Sequence, residues 1–270
     1  MSEFNIKSPA KINLYLKILG KLNNGFHELD TSFQLINLYD DICFKKTKKG
    51  ISVQCNDKNI DNHKNIVFKV ANDLQKQTKN NGIEIQIKKR IPLGAGLGGG
   101  SSNAASAIVM LDKIWGLNLN RNKMLEYAKE IGADVPFFMF GKNAKATGIG
   151  EKLKYSESID SNILIIHPEI NNSTKIMFNL YDQSSKKNVQ IPNFRQNSFW
   201  SIFLNSEETV KDFYYENFKE FELNLSGSGS CMFVKYNKKE EIDKLVKKIP
   251  SNWRLFFCKP LQYSPICYID

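Results

Sequence analysis

Cysteine and histidine are scarce in this chain of 270 residues, with five of the first and three of the second. The cysteines stand at 43, 55, 231, 258 and 267, an odd number with no two at C-x-x-C spacing. Neither a disulfide framework nor a zinc site is expected from that pattern. His27, His63 and His167 include no H-E-x-x-H pairing, which excludes a histidine metal centre of that kind. His63, His167 and the cysteines read as structural. Long apolar runs are missing too: stretches such as Val135–Phe140 fall far short of the ~18 residues of a membrane span. The N-terminus has no clean apolar segment, so no secretory signal is expected. Together these absences imply a reducing, cytoplasmic setting with no membrane partner.

What the chain does have is a globular balance, 41% hydrophobic and 24% charged, which excludes a disordered or collagen-like polymer. The formal net charge is +10. Its lysines fall in small groups (Lys45–Lys49, Lys88–Arg90, Lys186–Lys187, Lys238–Lys248) rather than one long block, the pattern of a solvated surface. A nucleic-acid-binding protein would also account for the charge, and would bind with a steep salt dependence.

Periodicity places strands at Ile6–Leu19, Phe33–Tyr39, Ile42–Lys46 and Ile51–Cys55, with Asp40-Asp41 as a turn. Ile83, Ile85 and Ile87 alternate with polar residues, a strand with one wet face. Helices are predicted over Ile66–Gln77, from Ala104 to Trp115 with Gly116 closing it, and over Arg121–Ile131 with Asn120 as cap. Beyond a polar boundary at 154–162, strands are expected at Ile163–His167, Cys231–Tyr236 and 254–258. Helices are expected at about 206–219 and 239–249, and a loop over 182–198. The mixture predicts an α+β chain in two domains, 1–155 and 156–270.

The strongest chemical signal is Pro92-Leu93-Gly94-Ala95-Gly96-Leu97-Gly98-Gly99-Gly100-Ser101-Ser102, between a strand and a helix. Few side chains obstruct its backbone N–H groups, and the helix N-terminus behind them adds donors and partial positive charge, so the segment suits phosphate oxygens. A bulky residue at Gly98 is expected to block nucleotide while sparing the fold. No lysine follows the glycines, so the Walker pattern fails. Gly94, Gly96 and Gly99 match G-x-G-x-x-G, which keeps a dinucleotide oxidoreductase as a rival. The preceding strand is amphipathic, however, and no acidic strand end follows at the required distance.

Two further segments complete a pattern: Ser8-Pro-Ala-Lys11-Ile-Asn13 near the N-terminus and Leu225-Ser-Gly-Ser-Gly-Ser-Cys231 near the C-terminus. With the central loop they resemble the three motifs of the GHMP kinase superfamily of small-molecule kinases. Gly25-Phe26-His27-Glu-Leu and Gly132-Ala-Asp134-Val-Pro-Phe-Phe resemble one branch of it, over nearly the whole chain and in order. That branch uses ATP and Mg²⁺ to phosphorylate the tertiary C2 hydroxyl of a cytidine-diphosphate conjugate of methylerythritol, in non-mevalonate isoprenoid precursor biosynthesis. Another GHMP-type small-molecule kinase is the nearer alternative.

The resemblance implies a two-domain GHMP kinase fold with the active site in the cleft between the domains. It implies Lys11 and Asp134 as the catalytic pair, and Pro92–Ser102 on the ATP phosphates. Asn65, Ile66 and Lys89 would lie near the adenine. Asn13, Phe26, His27, Thr174 and Phe178 would line the substrate side. Phe26 stands where tyrosine is common, which keeps stacking and loses a hydroxyl contact. Asp134 could also cap the helix that follows it. Metal ligands are left unassigned, Ser102 being one candidate. No nucleic-acid partner is implied, and the oligomeric state stays open between monomer and weak dimer.

Overall fold

The computed structural model describes residues 3–57, 60, 64–78, 82–186 and 196–266; His63 and Cys267 lie outside them. Two very long strands dominate the N-terminal half. β1 (Glu3–Lys21) and β2 (His27–Thr47) pair antiparallel along their full length, with Lys11 opposite Leu35 and Asn13 opposite Phe33. β2 is one strand rather than two. The Asp40-Asp41 pair predicted as a turn sits inside the ladder, opposite Ser8 and Lys7.

The far edge of β2 carries β4 (Gly82–Lys88) at one end and β5 (Ala144–Thr147) at the other. β3 (Ile51–Cys55) pairs parallel with β4, and β6 (Lys152–Tyr155) pairs with β5. Among the described residues these form a six-stranded mixed sheet. The all-parallel sheet of a dinucleotide-binding domain is therefore absent among them.

Helices α1 (Ile66–Gln75), α2 (Gly99–Trp115), α3 (Arg121–Ile131) and α4 (Val135–Phe140) serve this sheet. Asn65 caps α1 by accepting from Val67 N at 2.9 Å, and Asn120 caps α3 from Lys123 N. α2 begins with small residues, and Ala104, Ala105 and Ala107 are fully buried beside Ile108 and Leu111. That small surface lets the helix approach β1 closely enough for Ser8 Oγ to meet Ser102 Oγ at 2.8 Å and Ser106 Oγ at 3.0 Å. The apolar stretch before Gly141 is the helix α4, and its Phe137 packs on Phe33 with ring centres 4.6 Å apart.

The second half has its own four-stranded sheet among the described residues, in the order β10-β7-β9-β8. Its strands are β7 (Asn162–His167), β8 (Asn224–Leu225), β9 (Met232–Tyr236) and β10 (Arg254–Cys258). α5 (Thr174–Lys186), α6 (Trp200–Ser206), α7 (Glu208–Asn217) and α8 (Asp243–Lys248) accompany it. The loop predicted from 182 is still helical through Lys186, and α6 was not predicted. Trp200, Phe203 and Tyr214 fill this second core.

The halves share a third core. Ala10 and Ile12 of β1, with Ile36, meet Ile163, Ile165 and Phe233 of the second sheet, all fully or almost fully buried. The chain then returns, Leu261 N donating to Leu35 O at 2.9 Å and Ile266 entering the first core. Cys43, Cys55, Cys231 and Cys258 are free thiols. Burial pushes the Cys258 thiol up to about 12, which suits packing rather than reactivity.

Asp40 explains why the strand continues where a turn was expected. One carboxylate oxygen accepts from Arg90 N at 2.8 Å and Ile91 N at 2.9 Å, and the other binds Lys89 Nζ. The carboxylate is fully buried and Lys89 nearly so. Removing one partner leaves the other charge stranded, so Asp40→Ala should lose about 3–5 kcal/mol of stability in denaturant unfolding. Asp40→Asn should lose less, because it keeps an acceptor for the N–H groups that lead into the glycine loop.

Candidate active site

Strand alternation puts Lys11 and Asn13 on one face of β1, opposite the face that Ala10 and Ile12 give to the shared core. Lys11 Nζ donates to Asn13 Oδ1 at 2.5 Å and lies 3.4 Å from Asp134 Oδ2, over the ring of Phe33. The lysine side chain is 4% exposed and that of Asp134 32%. Asp134 occupies the residue before α4, yet its side chain makes no capping bond. The expectation of a cap is corrected accordingly: the carboxylate is turned toward Lys11.

Facing this pair is the glycine loop. Lys11 N donates to Leu97 O at 3.0 Å, which ties the loop to β1. Gly98, with φ of 70°, is the residue from which α2 starts. A Cβ there would press on the Phe138 ring at 2.9 Å and on Lys11 Cε at 3.1 Å. A larger residue at 98 would thus disturb packing, contrary to the expectation that the fold is spared.

Gly96 has φ of 72°, and a Cβ on it would fall 2.0 Å from Ser226 O. Across this contact Ser226 Oγ donates to Gly96 O at 2.9 Å and accepts from Asn13 N at 3.3 Å. Asn172 N donates to Gly94 O at 2.8 Å, its side chain donates to Ser228 O, and Thr174 Oγ1 lies 3.0 Å from Ser228 Oγ. The three sequence motifs meet here.

A cavity of about 910 Å³ runs through this junction. Lys11, Asn13, Phe26, His27, Ile66, Pro92–Ser101, Asp134, Thr174 and Phe178 all line it. Asn65, Lys89 and Ser102 do not: Asn65 caps α1, Lys89 is paired with Asp40, and the Ser102 hydroxyl is buried against Ser8. Another, more open groove of about 860 Å³ over β1–β4, lined by Ile6, Cys43, Gln54 and Gln86, holds none of the predicted site residues.

In the lining of the same cavity His27 stacks on Phe178 with ring centres 4.6 Å apart, and Phe26 is exposed. His27 Nε2 donates to Asp182 Oδ1 at 2.6 Å, and Lys21 Nζ binds the other carboxylate oxygen. Partial burial works to raise the Asp182 carboxyl, but these two hydrogen bonds prevail and hold it below the ordinary aspartate range. Asp182, Lys21, Thr31 and Asn172 were not anticipated from sequence. One signal was available: Thr174, Phe178 and Asp182 recur every fourth residue, one stripe of a helix.

The cavity thus brings together backbone N–H groups and a helix start suited to phosphates, aromatic rings suited to a planar group, and a lysine beside a carboxylate. Among the described residues no cluster of three or more His, Cys, Asp or Glu side chains could hold a metal by itself. No helix among them is long and apolar enough to cross a membrane.

Comparison with known proteins agrees with this geometry. A family profile for the GHMP kinases N-terminal domain matches residues 65–142. A 4-diphosphocytidyl-2-C-methyl-D-erythritol kinase from Acinetobacter baylyi is 34% identical over 278 residues, covering 97% of each chain. One from Haemophilus influenzae is 33% identical over 96% of this chain and 85% of its own. Among solved structures, a 4-(cytidine 5'-diphospho)-2C-methyl-D-erythritol kinase superposes with a TM-score of 0.77 at 24% identity, over 95% of this chain and 99% of the other. A mevalonate kinase superposes at 0.66 with 15% identity, over 95% and 99%. These last two speak for the fold, and the full-length sequence identity goes further: the chain belongs to the 4-diphosphocytidyl-2-C-methyl-D-erythritol kinase family of the GHMP kinases.

Proposed function

We propose that the protein transfers the γ-phosphoryl group of ATP to the tertiary C2 hydroxyl of 4-diphosphocytidyl-2-C-methyl-D-erythritol, giving the 2-phosphate and ADP. The observation that carries this reading is the Lys11–Asp134 pair, 3.4 Å apart, in the same cavity as the glycine loop and the His27–Phe178 stack. Phosphoryl transfer requires in-line positioning and neutralisation of charge more than covalent chemistry. The loop N–H groups and the start of α2 would hold the phosphates. Lys11 would offset charge developing on the transferring group. Asp134 would orient the acceptor hydroxyl and take its proton late in the step, since a tertiary alcohol is far less acidic than a carboxylic acid.

Mg²⁺ suits this site as an ion carried by the nucleotide, because it binds readily through phosphates, waters and one or two carboxylates. Asp134 and the Ser101 hydroxyl are the groups that would meet it, whereas Ser102 is committed to Ser8. The ion would add charge neutralisation on the phosphates. Residues 1–155 and 156–270 would form the two domains around the cleft, the returning segment at 261–266 bracing the first. Phe26 and Phe178 would flank the cytosine ring.

Three outcomes test the reading. Asp134→Asn and Lys11→Met should each lower kcat by about a hundredfold or more with melting temperatures unchanged, and the double variant should be little slower than the slower single one. Strictly additive losses in steady-state assays would show that the pair does not act together. Methylerythritol 4-phosphate lacking the cytidine should be a poor substrate in kcat as well as KM, because remote binding energy helps to seat the hydroxyl. Equal turnover of the two compounds would point to another GHMP-type kinase.

The third outcome concerns Asp182. Its carboxyl is held below the ordinary range, so its stabilising effect is present above the unfolded value and lost as pH falls through the folded one. Melting temperatures of wild type and Asp182→Asn should therefore differ steadily from neutral pH down to about pH 4 and converge only below it. Convergence well above that pH would mean that the ionised carboxylate does not hold the contact.

A further inference from the structure

Thr31 lies on β2, 1% exposed, and touches neither the glycine loop nor the aromatic end of the cavity by any hydrogen bond given above. Its hydroxyl makes two contacts. One is to the backbone carbonyl of Tyr15 at 2.5 Å and the other to Asn13 Nδ2 at 2.7 Å. The β1–β2 register shifts between Asn13 and Tyr15, and beside that irregularity the Tyr15 carbonyl meets a side-chain donor.

The polarity of this chain of bonds is determined from one end. A carbonyl oxygen can only accept, so the single Thr31 O–H proton is committed to Tyr15. Toward Asn13 the hydroxyl can then only accept, and its neighbour must be the NH₂ end of the amide. The opposite end, Oδ1, faces Lys11 Nζ at 2.5 Å, and an ammonium can only donate. Every donor therefore meets an acceptor from Tyr15 through Thr31 and Asn13 to Lys11.

Without the hydroxyl, the amide would be held by Lys11 alone, and its buried Nδ2 would have lost its acceptor. An amide that turned to satisfy those N–H groups would draw Oδ1 away from the ammonium. Lys11 would lose its nearest acceptor and move to the remaining one, Asp134, now 3.4 Å away. The phosphoryl site would lose a placed positive charge and the acceptor alcohol a free carboxylate.

We propose that Thr31 is a positioning residue that fixes the orientation of the Asn13 amide and, through it, holds Lys11 apart from Asp134. The proposal rests on the role given to Lys11 above. Thr31→Val removes the hydroxyl at nearly constant shape, and Thr31→Ser restores it. The Val variant should lose about tenfold or more in kcat, the scale of a small misplacement of a catalytic group. Its KM for ATP and its calorimetric affinity for ADP should stay within about twofold of wild type, and the Ser variant should recover most of the rate. A purely packing role would give the reverse order, with Val close to wild type and Ser impaired.

In the wild-type protein, nuclear Overhauser contacts from the Asn13 side-chain NH₂ should reach the Thr31 methyl group. This measurement decides the matter even if Thr31→Val fails to fold. A kcat within twofold of wild type in Thr31→Val, a Ser variant as slow as Val, or an Asn13 amide in contact with the Lys11 ε-methylene instead would each overturn the proposal. Full activity in Lys11→Met, run in the same assay, would instead overturn the reading of Lys11 and leave the amide contact to decide on Thr31.

Discussion

The closest constraint in the molecule is the meeting of two backbones at Gly96 and Ser226. A side chain on Gly96 would fall 2.0 Å from the Ser226 carbonyl, so the glycine loop of the first half can reach the serine-glycine loop of the second only because this position has no Cβ. The Ser226 hydroxyl then donates to Gly96 O while accepting from Asn13 N. One serine thus ties together the glycine loop, the strand that carries Lys11, and the far half of the chain. The cavity is the space left around that junction. Any change that separated the two loops would widen the cavity beside Lys11, where the proposed function brings phosphate and acceptor together.

β1 makes that convergence possible because it is buried on both faces at its middle. Ala10 and Ile12 are given to the core shared with the second sheet, and Lys11 and Asn13 to the cavity. A strand with one apolar face and one polar face usually marks a boundary between core and water. Here the polar face is as dry as the apolar one: Lys11 is 3% exposed and Asn13 1%. Polar groups so placed must be satisfied internally. That requirement is what draws Thr31, the Tyr15 carbonyl and Asp134 into a single network, beside one of the three register shifts in the β1–β2 pairing.

Much of this was legible in the sequence wherever the signal is local. The Ile83, Ile85, Ile87 alternation, the Asn120 cap and the Gly116 stop each reappear as the strand, cap and left-handed terminus they resemble. The glycine loop and the residues around Lys11 and Asp134 were legible for a related reason, since unusual residue types crowd into short segments. What was lost is non-local or compositionally ambiguous. Asp40-Asp41 has turn chemistry, but its carboxylate is consumed by Lys89 and the N–H groups of Arg90 and Ile91, about fifty residues on. α6 is buried at five successive positions from Trp200 to Leu204, so no helical period stands out. Asp182 sits in a polar stretch that reads as loop, and its partners Lys21 and His27 lie 161 and 155 residues away. Asn65, Lys89 and Ser102 do not line the cavity, their side chains being engaged by Val67, Asp40 and Ser8, the last two being partners that local sequence does not reveal.

The arrangement of the central charges fits the proposed function, in which a phosphoryl-transfer site has to keep a positive charge and a carboxylate available. A lysine paired tightly with an aspartate is close to neutral, and the aspartate is then shielded from any hydroxyl that approaches it. Lys11 is held instead by a neutral amide oxygen at 2.5 Å, with Asp134 a further 3.4 Å contact whose side chain is 32% exposed to the cavity. A neutral acceptor satisfies the ammonium without cancelling its charge, and the low polarisability of the surrounding core lets that charge act at a distance. The carboxylate, left half in the cavity, keeps lone pairs for an incoming O–H. Had position 13 been an aspartate, the lysine would be better paired in the empty site and worse placed for a phosphate. Asparagine at that position is therefore a choice between stability of the resting site and strength of its field, and the geometry around it favours the field.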